Sequence, residues 1–169
     1  MPGSSEAQQA LYLPYLQKAM DEFGINTPLR QAAFLAEVAY STAQLTQLVE
    51  LGSDKTLEDR YGSRKDLGNF EPGDGARYKG RGAFQLTGRA QYQAVGAQFG
   101  IDLIADPEKA AAPDVAFRTA ALYWQKNGLN EKAEQSLLQA IHLRVYGGRA
   151  VPPELQAFYD RAKRVLGPE

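Results

Sequence analysis

Apolar residues recur at helical spacing through most of the chain. Leu11, Tyr15, Leu16, Ala19 and Phe23 form one such stripe, and Gly24 follows as a stop. Thr27-Pro28 then supplies an N-cap and a first-turn proline. The helix they open carries Leu29, Ala32, Ala33, Ala36 and Ala39, and the pattern continues to about Leu48. A third helix is predicted from a Thr87 cap to Phe99, with Tyr92, Val95 and Phe99 on one face and Gly96 as an interior weak point. Ala105-Asp106-Pro107 breaks the chain. Pro113 opens the next helix, in which Tyr123 and Trp124 are assigned to the core, and Asn127-Gly128 ends it. Two more helical patterns cover about 131–145 and 153–166. Period-two alternation is weak everywhere, and Ala83-Phe84-Gln85-Leu86 is the one short strand candidate. The expectation is a mainly α fold with residues 1–169 forming a single domain.

Between the second and third helices the pattern lapses. Residues 52–80 are polar and glycine-rich, far longer than the usual connection of about 4–6 residues, and loops of that size are commonly functional. The segment Asp66 to Gly75 is expected to be irregular. It leads into Arg77-Tyr78-Lys79-Gly80-Arg81-Gly82, whose glycines allow backbone to approach backbone or ligand, as the floor of a cleft requires. The glycine spacing is not that of a phosphate loop, and no Lys-Ser/Thr pair follows.

Charge changes this picture little. With 19 basic and 20 acidic residues the net charge of −1 gives no general attraction to nucleic acid or to an anionic membrane. The local cluster Arg77, Lys79, Arg81 and Arg89 is the one feature that favours a polyanion. The absence of cysteine excludes disulfides, thiol nucleophiles and thiolate metal sites, and a single histidine excludes a histidine-rich one. Asp66, Glu71 and Asp74 share a loop but lack EF-hand spacing, so neither metal nor cofactor is expected. His142, beside Ile141 and Leu143, is expected to be partly buried and structural. No apolar run approaches the roughly 20 residues that span a bilayer. The first nine residues lack the basic and apolar regions of a signal peptide. A cytoplasmic product is therefore expected, and any task at the cell wall would need a holin, a dedicated secretion route or lysis. A monomer is expected.

Four stretches carry a family resemblance: Phe23 to Ala36, Leu67 to Tyr92, the Trp124 helix and Tyr159-Asp160-Arg161-Ala162. Together they resemble the family 19 glycoside hydrolases, the chitinase and phage-endolysin group that cuts β-1,4 links between N-acetylated amino sugars. The resemblance implies a lysozyme-like helical fold with a long Gly-rich loop and at most a very short β element lining a cleft. It also implies two carboxyl groups, one donating a proton to the leaving oxygen and one activating water, set roughly 6.5–9.5 Å apart in the inverting geometry.

The family's proton donor is a Glu in a His-Glu-Ser triplet near the end of the second helix. Here the matching text is Tyr40-Ser41-Thr42, so Ser41 stands at the position of the lost acid. A serine hydroxyl is no general acid near neutral pH, and the sequence shows no base and orienter that would make it a nucleophile. Glu50, in Leu48-Val49-Glu50-Leu51-Gly52-Ser53, matches the second carboxylate and is the candidate base; its bland reading is a solvated acid at a helix end. Glu37 lies one helical turn before Ser41, about 6 Å back along the axis. It is a weak substitute acid, and a surface or cleft-edge ion pair suits it better. Gln85 and Thr87 match the family's sugar contacts. Gln91 replaces an expected Asn, and Tyr146 in Val145-Tyr146-Gly147-Gly148 replaces another, where its ring can stack on a sugar or fill the cleft. Tyr78 and Arg81 complete the candidate substrate-binding set, although Arg81 suits an anchor to carbonyls or a carboxylate better than a ligand contact.

The resemblance thus leads to a catalytically degenerate chitinase/endolysin-like protein. Such a protein keeps a cleft for peptidoglycan, chitin oligosaccharides or a protein partner. The alternative is an active hydrolase that uses Glu50 with a relocated acid, Glu37 or, from the long loop, Glu58 or Asp59. A third reading is an interaction protein whose cleft Tyr146 closes.

Overall fold

The computed structural model describes residues 1, 3–148 and 150–167. Among them nine helices follow in order: α1 (Glu6–Glu22), α2 (Pro28–Ser41), α3 (Asp54–Tyr61), α4 (Asp74–Arg77), α5 (Arg89–Phe99), α6 (Pro113–Lys126), α7 (Leu129–Glu134), α8 (Leu138–Tyr146) and α9 (Pro153–Leu166). The chain packs as two compact units, Met1–Gln47 with Ala120–Glu169 and Leu48–Thr119, so the boundary falls within α6.

In the first unit, α1 begins with a reciprocal capping box between Ser5 and Gln8. Thr27 caps α2 by accepting from the Arg30 N–H, with Pro28 at its first position as the sequence predicts. Helix α2 packs along α9 and also meets α7 and α8. At the centre Phe34 meets Trp124 edge-on at 5.3 Å. The Trp124 indole N–H donates to Asn130 Oδ1 at 3.0 Å, and Asn130 Nδ2 donates to the Phe23 carbonyl at 3.2 Å, so the buried polar atoms are paired. Trp124 is fully buried, whereas Tyr123 is only half-buried and its hydroxyl donates to the Arg144 carbonyl.

Helix α2 stops at Ser41, not near Leu48. The Thr42 hydroxyl donates back to the Val38 carbonyl at 2.6 Å and accepts the Leu45 N–H at 2.8 Å, closing the turn. Ala43, Gln44 and Leu45 then take φ of 46°, 60° and 70°, three successive non-glycine residues in the left-handed region. Each such residue costs about 1–2 kcal/mol relative to glycine-like freedom. Leu45 is buried at the end of this turn, so apolar burial offsets part of the strain. Replacing the exposed Ala43 with Gly should raise stability by about 1 kcal/mol, measured as a shift in the urea midpoint. The helix expected over 131–145 is likewise broken into α7 and α8, with Ser136 at φ 55° between them.

In the second unit the long loop is more ordered than its composition suggests. It contains α3, α4 and a 3₁₀ turn at Lys65–Leu67. Helix α3 buries only Leu57, too little to register as a periodic stripe. No strand forms at 83–86 among the described residues. Two isolated antiparallel bridges pair Val49 with Arg81 and Arg81 with Leu86, and Gln85 at φ 55° turns the chain between them. Gly88, not Thr87, occupies the N-cap of α5; the Thr87 hydroxyl donates to the Gln85 carbonyl, and Asn69 Oδ1 accepts the Arg89 N–H. Tyr78, Tyr92, Val95, Leu103, Ala110 and Val115 form the core of this unit. Gly96 is needed there, because a Cβ would lie 2.5 Å from the Ile101 carbonyl oxygen.

Candidate functional site

The candidate residues fall into two groups, each within one unit. In the second unit the group centres on Glu50. Its backbone N–H donates to the Gly80 carbonyl at 2.8 Å, which fixes the segment after Leu48 against the glycine-rich turn. Its Oε1 accepts from Arg60 Nη1 at 2.6 Å and from the Tyr61 hydroxyl at 2.9 Å, and Oε2 accepts the Gly80 N–H at 3.1 Å. Glu50 is therefore not the solvated helix-end acid of the bland reading. It lies outside any helix, and its side chain is 16% exposed. A carboxylate has about four acceptor sites, so three donors leave room for one water or one sugar hydroxyl.

Gln85 lies directly beside this carboxylate. A Cβ on Gly80 would fall 2.5 Å from Gln85 Oε1 and 3.1 Å from Glu50 Oε2, so only glycine permits both side chains to converge there. Gln85 Nε2 donates to the Gly82 carbonyl at 3.1 Å, which orients the amide and leaves its oxygen as an acceptor. Thr87 is half-buried next to it, and Gln91 is exposed on the first turn of α5.

Two members of the predicted sugar-binding set are core residues. Tyr78 is 1% exposed and packs edge-on against Tyr92, with its hydroxyl donating to the Ile104 carbonyl. Arg81 is 2% exposed. Its Nη1 donates to the Arg77 carbonyl at 2.8 Å and to the Tyr92 hydroxyl at 3.0 Å, while Nη2 pairs with Glu108. Neither side chain reaches a ligand surface, and the anchoring role holds for Arg81. The basic cluster is consumed in the same way. Arg77 donates to the carbonyls of Ile104 and Ala105, and Arg89 pairs with Asp74, leaving Lys79 as the one cation of the four without a partner among the described residues. Three of the four cations are therefore engaged within the protein.

The loop carboxylates are also committed. Glu58 accepts the N–H groups of Gly73 and Ala76, holding α4 to α3, and Asp59 pairs with Lys55. Asp66 pairs with Arg64, and Asp74 pairs with Arg89. Those guanidinium hydrogen bonds hold Asp66 below the usual carboxylate range; Asp74 is held low against the opposing effect of burial. Among the described residues no three acidic or imidazole groups are arranged to hold a metal ion.

In the first unit, Glu37 departs furthest from expectation. It is fully buried rather than part of a surface or cleft-edge ion pair. Its Oε2 lies 3.3 Å from His142 Nδ1, and Oε1 has no partner. Burial pushes the carboxyl up to about 8 and pushes the imidazole down, so each holds its neutral form near pH 7. A charged pair would shift both groups the other way; one long contact does not offset the desolvation of two ions. His142 is buried and structural, with Tyr146 stacked on it at 5.6 Å and 12° and Tyr40 edge-on at 5.4 Å. Tyr146 remains 58% exposed.

Ser41 carries no compensating chemistry. Its hydroxyl is buried without a partner. Glu37 and His142 supply the carboxyl and imidazole of a nucleophile-activating set, but no hydrogen bond joins the imidazole to Ser41 Oγ. His142 Nε2 faces Gly148 instead, where a Cβ would come within 2.8 Å. No sequence signal links Glu37 to His142, 105 residues away, or reveals Arg60 and Tyr61 as the partners of Glu50.

Comparison with known proteins fits this arrangement. The family model described as chitinase class I, glycoside hydrolase family 19, matches residues 51–141. The chain belongs to that family. The matched stretch begins just after Glu50 and ends just before His142, so it takes in the glycine-rich turn and α5. A Haemophilus influenzae family 19 domain-containing protein is 35% identical over 89 residues, covering 52% of this chain and 42% of that protein. Acidic endochitinase SP2 of Beta vulgaris is 26% identical over 129 residues, covering 75% of this chain and 44% of the endochitinase. The chain spans less than half the length of these two relatives. A bacterial family 19 chitinase shares the lysozyme-like helical fold with a TM-score of 0.75 at 23% identity, over 98% of this chain and 95% of that one.

Proposed function

We propose that this family 19 chain binds N-acetylated amino-sugar glycans and does not hydrolyse them by the usual acid–base route. The observation that carries the reading is the fate of the proton donor. Ser41 occupies its position, and the nearest candidate replacement, Glu37, is fully buried against His142. A donor must come within about 2.6–3.2 Å of the oxygen it protonates, which a carboxyl with no exposed atom cannot do. Glu58 and Asp59 are weak replacements, being tied to α4 and to Lys55 respectively. Binding is supported by what remains. Glu50 and Gln85 present acceptors fixed by the glycine-rich turn, suited to sugar hydroxyl and N-acetyl N–H groups. In the first unit, Tyr146 exposes a ring whose face would by itself suit a pyranose.

Titration with a chitin oligosaccharide tests this directly. Saturable binding is expected, and Gln85→Ala should weaken it about tenfold, the loss of roughly one buried polar contact. Ser41→Glu should restore measurable turnover if only the donor is missing. An unmodified protein that turns over substrate, with Glu50→Gln abolishing the activity, would instead establish the hydrolase reading.

A further inference from the structure

The first unit holds an apolar pocket that the glycan reading does not use. Its volume is about 260 Å³, and its walls include Leu13, Leu16, Leu35, Phe158, Val165 and Leu166. On α9 the lining residues Phe158, Arg161, Ala162, Val165 and Leu166 fall at i, i+3, i+4, i+7 and i+8, one face of the helix. Leu13 and Val165 at its lips are 60% and 77% exposed, although both could have been polar without loss to the core. Arg161 is the only charged side chain in the lining, and it makes no hydrogen bond or ion pair among the described residues.

We propose that this pocket binds the alkyl chain of a free, single-chain anionic amphiphile, with Arg161 meeting its carboxylate. The apolar walls take the hydrocarbon, which gains by leaving water. The unpaired guanidinium presents a fork that matches a carboxylate. The pocket is compact and draws on α1, α2 and α9, which suits one chain rather than a bilayer surface or an extended partner helix.

The test is a calorimetric titration of the intact chain with hexanoate, octanoate and decanoate below their micelle concentrations, beside decylammonium as the charge-reversed control. One-to-one saturable binding is expected, tightening about fourfold per added methylene until the pocket is filled. Decylammonium should bind at least about tenfold more weakly than decanoate, and Arg161→Glu, at an exposed position, should reverse that preference. Ala162→Phe, which fills the pocket from α9, should abolish binding while the thermal transition is kept. Absence of saturable binding would overturn the proposal, as would indifference to head-group charge. Binding only to anionic vesicles would overturn it in favour of a membrane surface. Self-association that buries the Val165 methyls and blocks decanoate would overturn it in favour of a second copy.

Discussion

Raising the pH from 6.5 to 8 is expected to lower the stability of this chain by about 1 kcal/mol, and Glu37→Gln is expected to abolish that fall. The Glu37 carboxyl titrates at about 8 in the folded chain and near 4.5 when unfolded. Folding therefore retains a proton that the unfolded chain loses between those values, and stability falls as pH rises through that window. His142 acts in the opposite sense. Its folded value is depressed below 6.5, so the unfolded chain binds the extra proton on the acid side. Below 6.5 the two effects oppose each other, because the unfolded imidazole takes up a proton that the buried one resists. Above 6.5 the Glu37 effect dominates, at up to about 1.4 kcal/mol per pH unit and half that by pH 8. Tyr40, the titrating neighbour in edge contact with His142, is pushed up by burial and does not enter this range. Urea unfolding at pH 6.5 and 8 checks the prediction. An equal midpoint at both values in the unmodified chain would show that Glu37 is ionised in place.

Arg81→Ala should destabilise the chain by about 3 kcal/mol, while Glu108→Ala should cost less than about 1 kcal/mol. The asymmetry follows from burial. Arg81 is 2% exposed, whereas the Glu108 side chain is 72% exposed, so their ion pair is largely screened on the acid side. The cost of removing Arg81 comes from the Arg77 carbonyl and the Tyr92 hydroxyl, which lose a charged donor, and from the guanidinium lying over the Tyr92 ring. Tyr92 keeps its own bond to the Lys79 carbonyl at 2.6 Å, which limits the collapse to one side. Denaturant midpoints of the two variants measure this. A glycan affinity that falls in Arg81→Ala molecules still fully folded would return Arg81 to the binding set.

The same contrast explains what the sequence made legible. Helices α1, α2, α5, α6 and α9 were readable because each carries a repeated apolar face or a local cap, as Thr27-Pro28 does for α2. The end of α2 was not, because the reversal at Ala43–Leu45 is set by Thr42 side-chain bonds and by burial of Leu45, while the spacing of apolar residues still looks helical. Helices α3 and α4 were hidden for the opposite reason: Glu58 and short caps hold them with little apolar area. In the candidate site, Glu50, Gln85 and Ser41 could be picked out from local text. Burial could not. Tyr78, Arg81 and Glu37 sit in glycine-rich or helical text that gives no hint of which side chain turns inward, and each inward turn depends on partners that are distant in the chain, such as Ile104, Glu108 and His142.

The most direct test of the central claim is a nuclear magnetic resonance titration of the unmodified chain with a chitin oligosaccharide, followed over a long incubation. Binding without hydrolysis predicts a saturable shift of Gln85 and an oligosaccharide that stays intact. Accumulation of shorter sugars would contradict it, and so would the absence of any saturable shift.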